Sequence, residues 1–237
     1  LCLATFGRSG ELMGFFYPRI DFAQNVREGM TAIRLLDGEG PGRFLWCFDD
    51  RWRTTQSFEP ASNVLVTRLD HGEIELVLEI IDVLPPNERA LMRRIRITRG
   101  ENAPPVQFMH YFRMSLGDTD WRNGVQAYPD QNAVIQYFRD INLAVTANRP
   151  FTPFCGSIRD LAHSPTKEAM QAGHFDPSIQ AIGRVEFAIG FMPIHEHQWE
   201  TTLVLVGAAS REDALASARR IAETRLEVAI KQANDRA

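Results

Sequence analysis

Short apolar runs, several alternating with polar residues, occupy most of the chain before residue 148. ELMGFFY (Glu11–Tyr17), TAIRLL (Thr31–Leu36) and RFLWCF (Arg43–Phe48) have strand length, and GEGPG (Gly38–Gly42) breaks the last two apart. RTTQSFE (Arg53–Glu59) and NVLVTRLD (Asn63–Asp70) follow. His71-Gly72 reads as a tight turn into EIELVLEIIDVL (Glu73–Leu84), which predicts a long hairpin ended by Pro85-Pro86. ALMRRIRITR (Ala90–Arg99) alternates apolar and Arg residues over its second half, as expected of an antiparallel strand with one buried and one wet face. PVQFMHYFRMSL (Pro105–Leu116) is a further strand, and NAVIQYF (Asn132–Phe138) and INLAVTA (Ile141–Ala147) form a hairpin through Arg139-Asp140. Residues 148–182 read as an irregular excursion with one helical turn near Thr166–Ala172. Strands resume at RVEFAIGF (Arg184–Phe191) and WETTLVLVGA (Trp199–Ala208).

The period then changes. Ser210 with Asp213 makes a helix start, and Ala214, Leu215, Ala218, Ile221, Ala222, Leu226 and Ala229 recur at helical spacing. One amphipathic helix is expected from Arg211 to about Asp235, with an apolar face that no later element meets. The pattern predicts an all-β fold, a large antiparallel β-sandwich over residues 1–209, with the helix occupying 210–237. No fixed period repeats, so solenoids and propellers gain no support.

Composition narrows the classes. The 237 residues carry a net charge of −4 and are 44% hydrophobic, which excludes a disordered chain. Charges interrupt every apolar run short of the roughly 18 residues of a membrane span, so no membrane partner is expected. Mild acidity argues against a nucleic-acid partner. Lys167 and Lys231 are the only lysines. A GC-rich genome explains that bias; an Arg-lined anion site would need clustered Arg, and these are scattered. Cys2, Cys47 and Cys155 include no CxxC pair, so reduced thiols are the default and a cytoplasmic setting is slightly favoured. The first residue is Leu rather than Met, and LCLATF is too short for a signal peptide.

Candidate chemistry is sparse. His195 and His197 would share a strand face, but zinc needs a third ligand and none is suitably spaced, so an exposed turn is the expected reading and no metal or cofactor is assigned. Asp49-Asp50, Asp118 with Asp120, and Glu73 with Glu75 are the close carboxylate pairs; such pairs are common on wet turns, and a catalytic acid is marked by a shifted pKa in a cleft. Ser9 in GRSG lacks the strand–turn–helix setting of a nucleophile elbow. Trp46, Trp52 and Trp121 lie beside Asp and Arg at strand ends; Trp46 suits the core, whereas Trp52 and Trp121 are candidate sugar-stacking platforms.

One segment is more specific. GRSGELMGFFYPRIDFAQNVREGM (Gly7–Met30) resembles the opening of bacterial and archaeal glycoside hydrolase family 15 proteins, which include glucoamylases, glucodextranases and trehalases; Gly10, Tyr17, Pro18, Arg19, Gln24 and Asn25 carry the likeness. WCFDDRWRTTQSFEPASNVLVTRL (Trp46–Leu69), VLEIIDVLP (Val77–Pro85) and LMRRIRI (Leu91–Ile97) resemble later segments in the same order. The resemblance implies an N-terminal β-supersandwich whose partner is a C-terminal (α/α)6 catalytic barrel of the same polypeptide. In that family the general acid and base belong to the barrel, so no residue here inherits a catalytic role. Residues 210–237 would begin the linker, and the terminal helix would await a partner; self-association of the fragment is a further expectation. Tyr17, Arg19 and Asp21 are candidates for the rim of the neighbouring pocket, against the simpler reading that Arg19 pairs with Asp21. A stand-alone α-glucan-binding module is the alternative function.

Overall fold

A computed structural model describes residues 2–21, 24–38, 40–60, 62–160, 163–173, 175 and 178–235, apart from the Asp118 side chain. Glu39 of the GEGPG break, Phe22 and Ala23 of the family-like segment, and parts of the 148–182 stretch lie outside these residues. The fold is all-β: two antiparallel sheets pack face to face, and helices lie on both outer surfaces.

The first sheet orders β1 (Leu3–Phe6), β2 (Leu12–Phe16), β3 (Val26–Leu35), β9 (Val106–Met114), β15 (Val185–Gly190) and β13 (Thr152–Ser157), with β4 (Arg43–Trp46) paired to the far half of β3. The second orders β14 (Gln180–Gly183), β10 (Asn123–Tyr128), β11 (Ala133–Phe138), β12 (Ile141–Ala147), β16 (Gln198–Ala208), β8 (Ala90–Arg99), β7 (Leu76–Val83), β6 (Leu65–His71) and β5 (Arg53–Phe58). The expected hairpins form, β6 with β7 and β11 with β12. The first has a longer turn than a two-residue reading gives. Gly72–Ile74 make a 3-10 turn and Glu75 takes φ 52°, so β7 starts at Leu76. The irregular stretch holds β13, α1 (Pro165–Ala172) and β14.

Period-two alternation builds the core between the sheets. Phe108 and Phe112 of β9 and Ile33 of β3 meet Leu78 of β7, Ile95 of β8 and Leu205 of β16. Each such aliphatic or aromatic burial stabilises by about 1.5–3 kcal/mol relative to exposure. On β8, Arg94 and Arg96 take the wet face as expected, whereas Arg93 and Arg99 are buried. On the outer face, Arg68, Glu79, Arg96 and Glu200 stand opposite one another on four successive strands, and Arg96 bonds Glu79 at 3.2 Å and Glu200 at 3.0 Å. That alternating row keeps half of the second sheet's outer face wet.

The terminal helix departs from expectation twice. It is two helices, α2 (Arg211–Ala222) and α3 (Leu226–Asn234), capped at its start by the Ser210 hydroxyl, which accepts from the Asp213 N–H. Thr224 stands at the break; its hydroxyl bonds back to the Arg220 carbonyl, and Arg225 is extended. Nor is the apolar face unmatched. Ala214, Ala218, Ile221, Leu226, Ala229 and Ala233 are buried against Met92, Ala144, Val204 and Val206 on the second sheet's outer face. That half of the sheet is apolar and lacks the charges of the Arg–Glu row, so it takes the helices itself.

Candidate functional site

Several loops gather at one end of the sandwich. The segment after β2 is held there by Asn25, which is buried and donates from Nδ2 to the Tyr17 carbonyl at 2.7 Å. The Asn25 carbonyl accepts the Ser115 N–H at 2.7 Å. Two loops are thereby joined, because residues 115–123 are fixed by a second buried amide. Asn123 accepts from the Leu116 N–H and from Gln136, and donates to the Thr119 carbonyl. Gln24 donates to the Met13 carbonyl. Gln24 and Asn25, which carry part of the sequence resemblance, therefore act as fasteners of this end.

Of the rim candidates, Tyr17 is buried. Its ring lies over Gly207, where a Cβ would come within 2.6 Å of it, and the Arg89 guanidinium sits 5.9 Å from the ring centre. Burial pushes its hydroxyl above the ordinary range, with Arg89 opposing. Tyr17 thus ties the loop to the end of β16 and offers no surface to a ligand. Arg19 and Asp21 are both exposed and lie 3.8 Å apart, the local pair anticipated as the simpler reading.

The two tryptophan platforms separate. Trp52 is buried, donates its indole N–H to the Trp46 carbonyl at 3.1 Å, and meets His71 edge-on. It cannot stack a sugar, a correction to its candidacy: its partner lies six residues upstream, across a turn. Trp121 is 65% exposed, with the Arg184 guanidinium 3.9 Å over its ring. Trp46 is half-buried between Phe44 and Phe48.

His195-Glu196-His197 forms an exposed bend. Buried Arg99 organises it, donating to the carbonyls of His195 at 2.6 Å, Glu196 at 3.4 Å and Pro104 at 2.8 Å, and also to Ala103. His197 Nδ1 lies 3.3 Å from the Arg99 carbonyl. Among the described residues no three His, Cys, Asp or Glu side chains converge as a metal site, and no helix is long and apolar enough to cross a membrane. Ser9 sits in a turn where Gly10 N–H bonds Gly7, and its own N–H donates to Glu11.

Carboxylates were the other candidates. Asp49 pairs with Arg51 at 2.9 Å, and Asp120 with Arg113 at 3.6 Å. Among the described residues, Asp82 is the carboxyl held above its ordinary range; burial raises it while Arg93, gripping both its oxygens, pulls the other way. It lies between the sheets, where a substrate cannot reach. Sequence reading also missed Glu186, fully buried on β15. It accepts from Tyr111 at 2.6 Å, Ser164 at 2.8 Å and the Thr166 N–H at 2.9 Å, which seats the start of α1 on the first sheet. A lone Glu within the apolar VEFAIG strand was its only signal. Cys47 and Cys155 are free and buried, and burial pushes both thiols up, Cys155 to about 12.

No protein-family model matches the chain. It is 24% identical over 157 residues to an uncharacterized glycosyl hydrolase of Methanocaldococcus jannaschii, a match that takes in 65% of this chain and 24% of that protein. A bacterial glucoamylase matches in structure with TM-score 0.78 and 12% identity, over 96% of this chain and 33% of its own. A family GH92 inverting mannosidase of Bacteroides thetaiotaomicron matches with TM-score 0.55 and 10% identity, over 99% of this chain and 30% of its own. The chain therefore spans about a quarter to a third of the length of these relatives, and its β-sandwich is a fold found within glycoside hydrolases.

Proposed function

We propose that this chain is the non-catalytic, N-terminal β-supersandwich domain of a larger glycoside hydrolase of the family 15, glucoamylase-like kind. It supports a catalytic (α/α)6 barrel in the same polypeptide and lends Arg19 and Asp21 to the rim of the barrel's pocket. The observation that carries this reading is the likeness of nearly the whole chain to one third of a bacterial glucoamylase. The site chemistry agrees with it. Among the described residues, Asp82 is the carboxyl with a raised pKa and is sealed between the sheets, while Asp49 and Asp120, one member each of two close acid pairs, are held by Arg51 and Arg113. An inverting hydrolase needs two acids flanking the scissile bond, with the general acid raised and open to substrate.

The test is turnover of maltooligosaccharides by this chain alone and by the full-length polypeptide. Hydrolysis by the longer protein only is the expected result, and hydrolysis by this chain alone overturns the reading. In the full-length protein, Arg19→Ala is expected to raise KM or lower kcat several-fold at unchanged stability. Unchanged kinetics would remove Arg19 from the rim.

A further inference from the structure

We propose that Trp121 is the platform of a surface site for a neutral pyranose ring of an oligosaccharide. Three observations converge. First, the indole stands 65% exposed, and the guanidinium of Arg184 lies over it at 3.9 Å. With one face backed by the cation, the exposure belongs to the other face and the edges. A flat apolar surface beside polar groups suits a ring that has C–H bonds on its faces and hydroxyls on its rim.

Second, the ring is held in place before any ligand arrives. Asn123 fixes the loop through Leu116, Thr119 and Gln136. Gly117, at φ 66°, lets the backbone approach Phe138 so closely that a Cβ would lie 2.7 Å from that ring. Asp120 is tied to Arg113, itself bonded to Glu28. A preordered aromatic loses little conformational entropy on binding.

Third, the side chains that flank the indole in sequence and the one that covers its face are charged or polar. Asp120 and the exposed Arg122 flank the indole in sequence, and Arg184 adds N–H donors at the ring. A protein-docking centre would instead sit within a desolvated apolar patch. The choice of a sugar among flat ligands rests on the proposed glycoside hydrolase reading.

The experiment follows the indole N–H resonances of this chain during titration with maltoheptaose. The Trp121 signal, identified by its loss in Trp121→Phe, is expected to shift saturably. Trp121→Ala should weaken binding at least about tenfold, whereas Phe58→Ala, at an exposed aromatic on edge strand β5, should leave it unchanged. No shift with maltoheptaose, unchanged maltoheptaose affinity of Trp121→Ala by isothermal titration calorimetry, or a shift caused by a decathymidine strand and not by the sugar overturns the proposal. Failure here leaves the turnover comparison standing, because that comparison does not depend on sugar binding by the sandwich.

Discussion

His110 shows how one side chain sets the chemistry of the interior. Its ring lies between the sheets, with Nδ1 3.0 Å from the Thr31 hydroxyl and Arg93 nearby across a small cavity of about 10 Å³. Burial, and then the Arg93 charge, hold its pKa well below the ordinary value. The unfolded chain takes up a proton near pH 6.5 that the folded chain refuses. Stability is therefore full above that pH and falls as pH drops, by about 1.4 kcal/mol per pH unit for this one group, until the depressed folded pKa is reached. Urea unfolding at pH 7.5, 6.5 and 5.5 should show little loss over the first step and about 1 kcal/mol over the second from this group, and His110→Gln should remove that loss; equal pH dependence in the two proteins would contradict the assignment. At this scale the sequence was partly readable. Trp121 declared its exposure through Asp120 and Arg122, whereas Trp52 sat in equally polar company and is buried, because a backbone carbonyl satisfies its N–H. Arg93, Arg99 and Glu186 were hidden because their partners lie outside their own strands: Asp82 on β7 for Arg93, loop carbonyls for Arg99, and Tyr111 with the start of α1 for Glu186.

Single elements depend on such buried contacts. α1 rests on Glu186, whose carboxylate takes the Thr166 N–H at the first turn together with the Ser164 and Tyr111 hydroxyls. Glu186→Ala strips those donors of their acceptor while leaving them buried, at a cost of about 2–4 kcal/mol. Amide exchange should report it first in residues 165–172, as lost protection there before the sheets respond; uniform loss across the chain would mean that α1 does not fold on this carboxylate. The elements that the hydrophobic pattern located best are strands with strong alternation or continuous apolar runs, such as β8 and β12, whose ends fall where expected. β1, β10, β13 and β14 escaped notice. They are four to six residues long, and three carry Gly or Pro, which reads as a turn until a neighbouring strand supplies its ladder. The helix pair was legible in its apolar spacing but not in its destination, since only the assembled second sheet reveals the Val204, Val206 and Met92 surface that receives it.

The molecule as a whole is organised by late arrivals. β16 sits between β8 and β12, pairing Ala90 with Val206 and Asn142 with Ala208, and β15 likewise sits between β9 and β13. A chain cut after Gly190 therefore lacks the strand that joins the two halves of the second sheet, along with both helices that cover it. Such a chain is expected to show no cooperative urea transition, in contrast to residues 1–237; a sharp transition would mean that either half-sheet is self-sufficient. The insertion of β16 has a consequence for biosynthesis. Translation delivers β5 to β8 and β10 to β12 long before the strand that unites them, so on the ribosome both half-sheets wait with open edges at β8 and β12. Pairings more than a hundred residues apart close slowly. Codon tempo and chaperone access between residues 150 and 208 should therefore govern the yield of soluble protein more strongly than at any earlier stretch.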